Sequence, residues 1–192
     1  RQVEEGGILA THTHANGQYG SMLYLDSVLK SPVTDGSAEL RTRRQCARPY
    51  LRMNGRKVYG VAVHTMVQDV RQVIDKYNRL STSKIGVEDI DRIYPHQANL
   101  RIIEMVAKRL RVPLEKVYTK GIAEYGNTSA ASIPIGYCDE RARYDGDPGS
   151  HLEIDVAFGS GFASGAVLRS VLGTPRAGSR STESAMRAGA SD

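Results

Sequence analysis

The sequence contains little cysteine: two residues, Cys46 and Cys138, among 192. Two cysteines cannot by themselves build a disulfide framework or a metal site. Scarce cysteine is typical of proteins from a reducing compartment, so we expect a cytoplasmic protein. Neither cysteine lies where a strand gives way to a helix, the setting of a catalytic thiol. We therefore predict a structural role for both.

Long apolar runs are also missing. No stretch approaches the roughly 20 apolar residues that a membrane helix requires. Residues 1–5 lack the apolar core of a signal peptide. We therefore expect no signal peptide and no association with a membrane. The chain does not begin with methionine, and we expect it to begin inside a longer protein.

The charge balance shows no large excess of either sign, with a formal net charge of +5. A moderate basic excess favours an acidic partner, such as nucleic acid, a phosphorylated cofactor or an acidic protein, but it is equally typical of a solvated surface. No run of lysine and arginine with interleaved aromatic residues occurs, and no nucleic-acid motif is present. We therefore expect no nucleic-acid partner.

What is present fits a globular domain, with 40% hydrophobic and 24% charged residues. Alternating segments predict an α/β fold over residues 1–170. The predicted helices cover 58–80, 99–110 and 128–144, and the predicted strands cover 6–13, 90–94, 117–119, 152–158 and 162–169. Residues 29–56 and 121–127 are predicted loops. The Gly-, Ser-, Ala- and Arg-rich residues 171–192 predict a disordered tail.

Three segments lie where one predicted element gives way to the next, and such junctions often carry functional side chains. They read YPHQANLRI at 94–102, YGNTSAASIP at 125–134 and AFGSGF at 157–162. With GGILATHTHANGQYG at 6–20 and MNGRKVYGVAV at 53–63, they resemble the second half of β-ketoacyl-acyl-carrier-protein synthase III in order and spacing. The resemblance covers roughly residues 6–170.

The resemblance implies a thiolase-like α/β fold, layered around a mixed central sheet, of which this chain is the C-terminal half. It implies a homodimer that uses acyl-CoA and malonyl-acyl-carrier-protein as substrates, with no other cofactor. The reaction is a decarboxylating Claisen condensation in fatty acid or polyketide biosynthesis. The nucleophilic cysteine belongs to the other half, so we expect this chain to be inactive by itself.

The same resemblance assigns roles to individual residues. His96 and Asn127 are the neutral donors that stabilise the malonyl thioester oxyanion. A backbone N–H of Ser160 or Gly161 serves the oxyanion on the acyl-cysteine, and Phe158 lines the substrate pocket. From the residues alone, Asn127 also suits a turn or cap, Gly161 a tight turn and Phe158 the core.

Arg101 follows the PHQAN motif, and the resemblance assigns it to docking of the acyl carrier protein. Lys108, Arg109 and Arg111 extend the same basic patch, which suits an acidic partner. The alternative is a set of solvated helix residues.

Other candidate sites are weaker. His12 and His14 share one face of a predicted strand but have no third ligand, so we expect no metal. His64 and His151 have no supporting context. The glycines of the AFGSGF segment do not match a dinucleotide fingerprint. Two further functions remain open: an acyltransferase that acts on an alcohol or amine, and a non-catalytic partner subunit.

Overall fold

The computed structural model describes residues 6–26 and 50–174 of the 192-residue chain. Within these ranges the chain forms six strands and four α-helices. In chain order they are β1 (Gly7–Ala15), β2 (Leu23–Asp26), β3 (Tyr50–Met53), α1 (Gly55–Leu80), β4 (Arg92–Pro95), α2 (Leu100–Leu110), α3 (Lys120–Glu124), α4 (Ser132–Asp139), β5 (Ser150–Phe158) and β6 (Ala163–Leu172). Short 3-10 turns lie at Gly17–Met22, Leu114–Lys116, Ser129–Ala131 and Ser160–Phe162.

Four strands form one mixed sheet in the order β1-β6-β5-β4. β1 and β5 both pair antiparallel with β6, whereas β4 pairs parallel with β5. A parallel bridge from Val117 to Ile93 extends the sheet beyond β4. β2 and β3 form a separate antiparallel pair. The predicted α/β fold with a mixed central sheet is confirmed.

The longest helix, α1, covers the apolar face of this sheet. The Asn54 side chain caps it by accepting a hydrogen bond from the Lys57 N–H at 3.3 Å. Its buried apolar side chains recur at helical spacing, at Val58, Ala62, Val63, Met66, Val67, Val70, Val73 and Ile74. They join Ile154 and Leu168 of the sheet in the main core. The helix predicted over 58–80 is confirmed, and the Asn54 cap starts it earlier, at Gly55.

The opposite face of the sheet carries a buried layer of charged residues. Arg92 of β4 is 5% exposed and donates from Nε to Glu140 Oε2 at 2.7 Å. On β6, Arg169 forms ion pairs with Glu153 at 2.5 Å and with Asp155 at 3.3 Å. A buried ion costs several kcal/mol unless it is paired. The pair of Arg92 and Glu140 therefore ties the end of α4 to the sheet.

The small residues of α4 let this helix lie close to the sheet, as predicted. A Cβ atom at Gly136 would lie 3.0 Å from ring atoms of both Tyr94 and Tyr118. Two aromatic rings at that distance leave no room for a methyl group without movement.

We expect Gly136→Ala to lower the free energy of unfolding by about 1–3 kcal/mol, because the added methyl group overpacks the contact with the two tyrosines. Denaturant titration measures the change. The matched control is Gly60→Ala, since a Cβ at this helical glycine meets nothing within 4 Å; that change should stabilise by about 0.5–1 kcal/mol. Equal stabilisation by both substitutions would contradict the close-packing account.

Two longer segments differ from the sequence prediction. The end of the predicted loop over 29–56 forms β3 and the first turn of α1, while 27–49 lies outside the described residues. The helix predicted over 128–144 is a 3-10 turn at Ser129–Ala131 followed by α4, which ends at Asp139. The next residue, Glu140, bonds to Arg92 and Tyr94. The helix thus ends immediately before the residue that makes these tertiary contacts.

Smaller errors concern strand 117–119, loop 121–127 and Leu100. The predicted strand is a single bridge at Val117, and the predicted loop contains most of α3. The apolar spacing over 99–110 predicts that Leu100 faces inward together with Ile103 and Val106. In the structure Leu100 is 42% exposed, whereas Ile102 is buried. Leu100 is the first residue of α2. The buried apolar face of α2 therefore begins at Ile102.

The fold extends into the segment that composition assigned to the tail. β6 continues to Leu172, and Thr174 forms a bridge with Asp145. Residues 175–192 lie outside the described residues, so the predicted disorder stays a prediction. Across 6–26 and 50–174, none of the helices is long and apolar enough to cross a membrane.

Candidate active site

His96 lies at the carboxyl end of β4, directly after the last strand residue. Its N–H donates to the Val156 carbonyl at 2.8 Å, which continues the pairing of β4 with β5. Three residues on, Asn99 caps α2 by accepting from the Arg101 N–H at 2.9 Å. His96 is therefore held between a sheet ladder and a helix start, so its backbone position is rigid.

The imidazole of His96 is half-buried and neutral near physiological pH. Its ring packs edge-on against Phe158, with 5.8 Å between ring centroids. Nδ1 lies 2.9 Å from the Ser132 hydroxyl. Burial lowers the pKa of His96 below its ordinary value of 6.5, because the charged form loses hydration. A neutral imidazole can donate one N–H bond without losing a proton.

Asn127 lies in the turn between α3 and α4. The preceding Gly126 has a φ of +71°, which lets the chain reverse there. The Asn127 Oδ1 accepts a hydrogen bond from the Ser129 N–H at 2.9 Å. This bond uses the acceptor end of the amide, so the Nδ2 hydrogens are directed away from Ser129. Asn127 therefore has the turn role that its sequence context suggested, and the same bond orients its donor end.

Ser132 is the residue that joins the two segments, and the sequence analysis missed it. It begins α4, a short way beyond Asn127, and contacts His96 across 36 residues of sequence. It lies inside the GNTSAAS segment, but nothing in that pattern shows which of its serines faces the histidine. The segments of His96 and Asn127 thus meet at one corner of the fold.

Phe158 ends β5 and lies between His96 and the following turn. It is 8% exposed and stacks on Phe162 with ring centroids 6.3 Å apart. In the turn, Gly161 has a φ of +74°, a conformation that favours glycine. The Ser160 hydroxyl donates to the Leu23 carbonyl at 3.0 Å, which ties the turn to β2. The predicted oxyanion role of a Ser160 or Gly161 N–H stays a prediction.

Two open cavities lie beside this corner. One, of about 630 Å³, is lined by Phe158 and Gly159 together with residues of β1 and β6. His96 and Asn127 do not line it. Phe158 thus packs against the His96 ring and forms part of the wall of this cavity. Its predicted role in lining the substrate pocket stays a prediction.

The second cavity, of about 290 Å³, is lined by His12, His14, His64 and Asp69 among others. His12 and His14 share one face of β1 as predicted. The Nε2 atom of His12 lies 3.4 Å from the Oδ1 atom of the Asp69 carboxylate. Burial raises the pKa of Asp69. Within the described residues no group of three or more His, Cys, Asp or Glu side chains is arranged to hold a metal ion.

Arg101 lies in the first turn of α2 with an exposed side chain, and its carbonyl accepts from the Tyr59 hydroxyl at 3.4 Å. Lys108 follows two turns later on the same side of the helix, and Arg109 and Arg111 are exposed at its end. All four basic side chains of the predicted patch are exposed, two of them on the same side of α2 and two at its end. Cys138 is exposed on α4, whereas Cys46 lies outside the described residues.

Gln97, next to the histidine, is a second residue that the sequence analysis missed. Its side chain is 1% exposed. Nε2 donates to the Pro95 and Tyr118 carbonyls at 2.9 and 3.0 Å, and Oε1 accepts from the Ile122 N–H at 3.0 Å. Three segments of backbone are thereby joined beneath His96.

Comparison with known proteins identifies relatives of this chain. Residues 80–171 match the family model described as 3-oxoacyl-acyl-carrier-protein (ACP) synthase III C terminal. The chain is 39% identical over 166 residues to the β-ketoacyl-acyl-carrier-protein synthase III of Clostridium perfringens, covering 86% of this chain and 47% of that protein.

Solved structures of similar proteins superimpose on this chain. The 3-oxoacyl-acyl-carrier-protein synthase III of Aquifex aeolicus superimposes with a TM-score of 0.70 at 34% identity, covering 89% of this chain and 46% of that chain. The priming β-ketosynthase of a polyketide biosynthetic pathway superimposes with a TM-score of 0.67 at 28% identity, covering 88% and 46%. The chain thus spans about half the length of the relatives it matches. It corresponds to the C-terminal half of a thiolase-like ketosynthase of the β-ketoacyl-acyl-carrier-protein synthase III type.

Proposed function

We propose that this chain supplies the decarboxylation half of a ketosynthase active site. The reaction condenses an acyl group, taken from acyl-CoA, with malonyl-acyl-carrier-protein in fatty acid biosynthesis. The observation that carries the proposal is the neutral, half-buried imidazole of His96 at the end of β4, at the corner that also holds Asn127. Both groups can donate hydrogen bonds without changing charge.

In the proposed step, the bond between the malonyl α-carbon and its carboxylate breaks, and carbon dioxide leaves. The electron pair moves into the thioester as an enolate whose oxygen becomes negative. His96 and the Asn127 amide donate to that oxygen, which lowers the barrier because the charge develops where donors already stand. The α-carbon then attacks the acyl-cysteine carbonyl, and the cysteine leaves as a thiolate.

The nucleophilic cysteine of this scheme comes from the other half of the fold. Cys138, the cysteine within the described part of the chain, is exposed on α4 and far from a strand-to-helix junction of the kind that lowers a thiol pKa. We propose that the 192-residue chain by itself forms no acyl-enzyme and condenses nothing. Activity requires a first half, either from its own longer polypeptide or from a separate chain.

The exposed basic patch of Arg101, Lys108, Arg109 and Arg111 is the surface we propose for docking of the acidic carrier protein. Electrostatic complementarity mainly speeds such encounters and makes them sensitive to salt. We further propose a homodimer in the cytoplasm that uses acyl-CoA and the malonyl carrier protein as its substrates and needs no additional cofactor. No partner nucleic acid or membrane is part of this scheme.

The test is a condensation assay on the chain produced together with a first half of the fold, its own or that of the Clostridium perfringens relative. Radiolabelled malonyl-acyl-carrier-protein reports carbon dioxide release, and acyl-CoA supplies the starter. We expect release that depends on the starter and yields a product two carbons longer. Acyl transfer to an alcohol or amine without carbon dioxide release would favour the acyltransferase alternative, and no transfer of either kind would favour a non-catalytic subunit.

A second candidate is the same condensation in a polyketide pathway. The priming β-ketosynthase among the structural relatives favours it. Competition between acyl-CoA starters of different length in the same assay shows which starter the proposed pocket beside Phe158 prefers.

We expect the acidic limb of the decarboxylation rate to be centred below pH 6.5, the ordinary pKa of histidine. The reason is that the neutral imidazole is the donor and burial lowers its pKa, so protonation requires more acid. A pH–rate profile of kcat between about pH 5 and pH 8 measures this. An acidic limb centred above 6.5 would contradict it.

A further inference from the structure

Ser132 is buried at the start of α4 with its hydroxyl between two partners. The side chain is 2% exposed. Its Oγ lies 2.9 Å from Nδ1 of His96 and 3.3 Å from the backbone nitrogen of Gln97. No element of the proposed chemistry uses this serine directly.

The protons at this hydroxyl can be assigned by elimination. The backbone N–H of Gln97 can only donate, so it occupies an acceptor lone pair of the Ser132 Oγ. The hydroxyl has a single hydrogen of its own, and Nδ1 of His96 is the remaining recorded neighbour. If the hydroxyl donates to Nδ1, then Nδ1 carries no proton and the ring N–H lies on Nε2. The opposite tautomer would leave a buried hydroxyl hydrogen without an acceptor.

From this geometry we propose that Ser132 is a positioning residue that holds His96 in its Nε2–H tautomer. The inference rests on the proposed function, because that function needs a donor on the ring nitrogen that faces the substrate. A histidine nitrogen is commonly assigned in this way by the hydrogen bond that the other nitrogen makes. Ser132 acts through His96 and touches no reacting atom.

The position of Ser132 is itself fixed by the packing of α4. Gly136, one turn along, lies against the rings of Tyr94 and Tyr118. Glu140, at the end of the helix, accepts from the Tyr94 hydroxyl at 3.0 Å and pairs with Arg92. Because the middle of α4 and the residue that follows it are held to the strand before His96, the distance between Ser132 and His96 is fixed.

The test compares Ser132→Ala with Ser132→Thr, which keeps a hydroxyl, and with Ser129→Ala as a control. Ser129 is exposed in the same turn, and the alanine keeps the N–H that bonds to Asn127. The protein is the chain in complex with a first half, with ¹⁵N-labelled histidine. Two-bond ¹H–¹⁵N spectra of His96 report which ring nitrogen carries the proton.

We expect a pure Nε2–H tautomer in the unchanged protein and in the Ser129→Ala and Ser132→Thr variants, and a mixture of tautomers in Ser132→Ala. The kcat for malonyl decarboxylation should fall by about ten-fold in Ser132→Ala, with little change in KM. The acidic limb of its pH profile should move to higher pH, since a hydrogen bond to the neutral ring is lost.

The tautomer measurement separates this inference from the proposed function. A proton on Nδ1 in the unchanged protein, or an unaltered tautomer and rate in Ser132→Ala, overturns the role of Ser132 even if decarboxylation occurs. A shifted tautomer in a protein that never releases carbon dioxide supports the positioning role and instead overturns the proposed function.

Discussion

Alanine in place of His96 is expected to reduce malonyl decarboxylation by about 10²–10³-fold, and alanine in place of Asn127 by a similar factor. Each substitution removes one of the two neutral donors that we propose for the developing enolate oxygen. Water cannot replace a donor beside Phe158 with the same preorganised geometry. The rate of carbon dioxide release from radiolabelled malonyl-acyl-carrier-protein, in the complex with a first half, measures the loss.

The reductions in rate caused by His96→Ala and Asn127→Ala should not multiply fully in the double variant. In the proposed step both donors act on one oxygen, so the double variant is expected to lose less than the product of the single effects. His64→Ala, at an exposed histidine on α1, is the control and should keep the original rate. Acyl-enzyme formation from acyl-CoA should survive in all variants, because it precedes the step in which the donors act. An unchanged decarboxylation rate in His96→Ala would show that the assignment is wrong.

Methionine in place of Gln97 is expected to cause the largest loss of stability. The substitution keeps the shape of the side chain but removes its three hydrogen bonds to the backbone at Pro95, Tyr118 and Ile122. Two carbonyls and one N–H are then buried without partners. At about 1–3 kcal/mol for each of the three unsatisfied groups, we expect a loss of at least about 3 kcal/mol.

The midpoint of urea denaturation, at an unchanged m-value, reports this loss. Gln72→Met is the matched control, since Gln72 is exposed on α1 and the change should stay within about 0.5 kcal/mol. Gln97→Glu should be nearly as damaging as Gln97→Met, because a carboxylate cannot donate to the two carbonyls. A loss in Gln97→Met no larger than that of the control would mean that water or a shifted backbone satisfies these groups.

Local patterns in the sequence predicted the elements that carry the site. The apolar spacing over 58–80 predicts α1 because a helix on a sheet must bury one stripe, and the structure has that stripe. Asn99 predicts the start of α2 because its side chain can satisfy a free N–H at the helix start. The strands on either side of the AFGSGF turn were predicted to within three residues at each end. The positions of His96 and Asn127 at element junctions followed from the same signals, and their roles came from the family resemblance.

Contacts between distant residues were decided by the tertiary structure alone. His96 and Ser132 are 36 positions apart in the sequence, and Arg92 and Glu140 are 48 apart; no periodicity of the sequence pairs residues at these separations. α4 ends one residue before Glu140, the residue that bonds to Arg92, and helix propensity could not predict this end. Hydropathy likewise places Arg92 on the surface, because a charge is buried only where folding brings it a partner. The sequence by itself determined the long helix α1, the start of α2 and the strands around the AFGSGF turn, because each depends on local periodicity or capping. Only the tertiary structure decided where α4 ends and that Ser132 lies against His96, because both depend on contacts between residues far apart in the sequence.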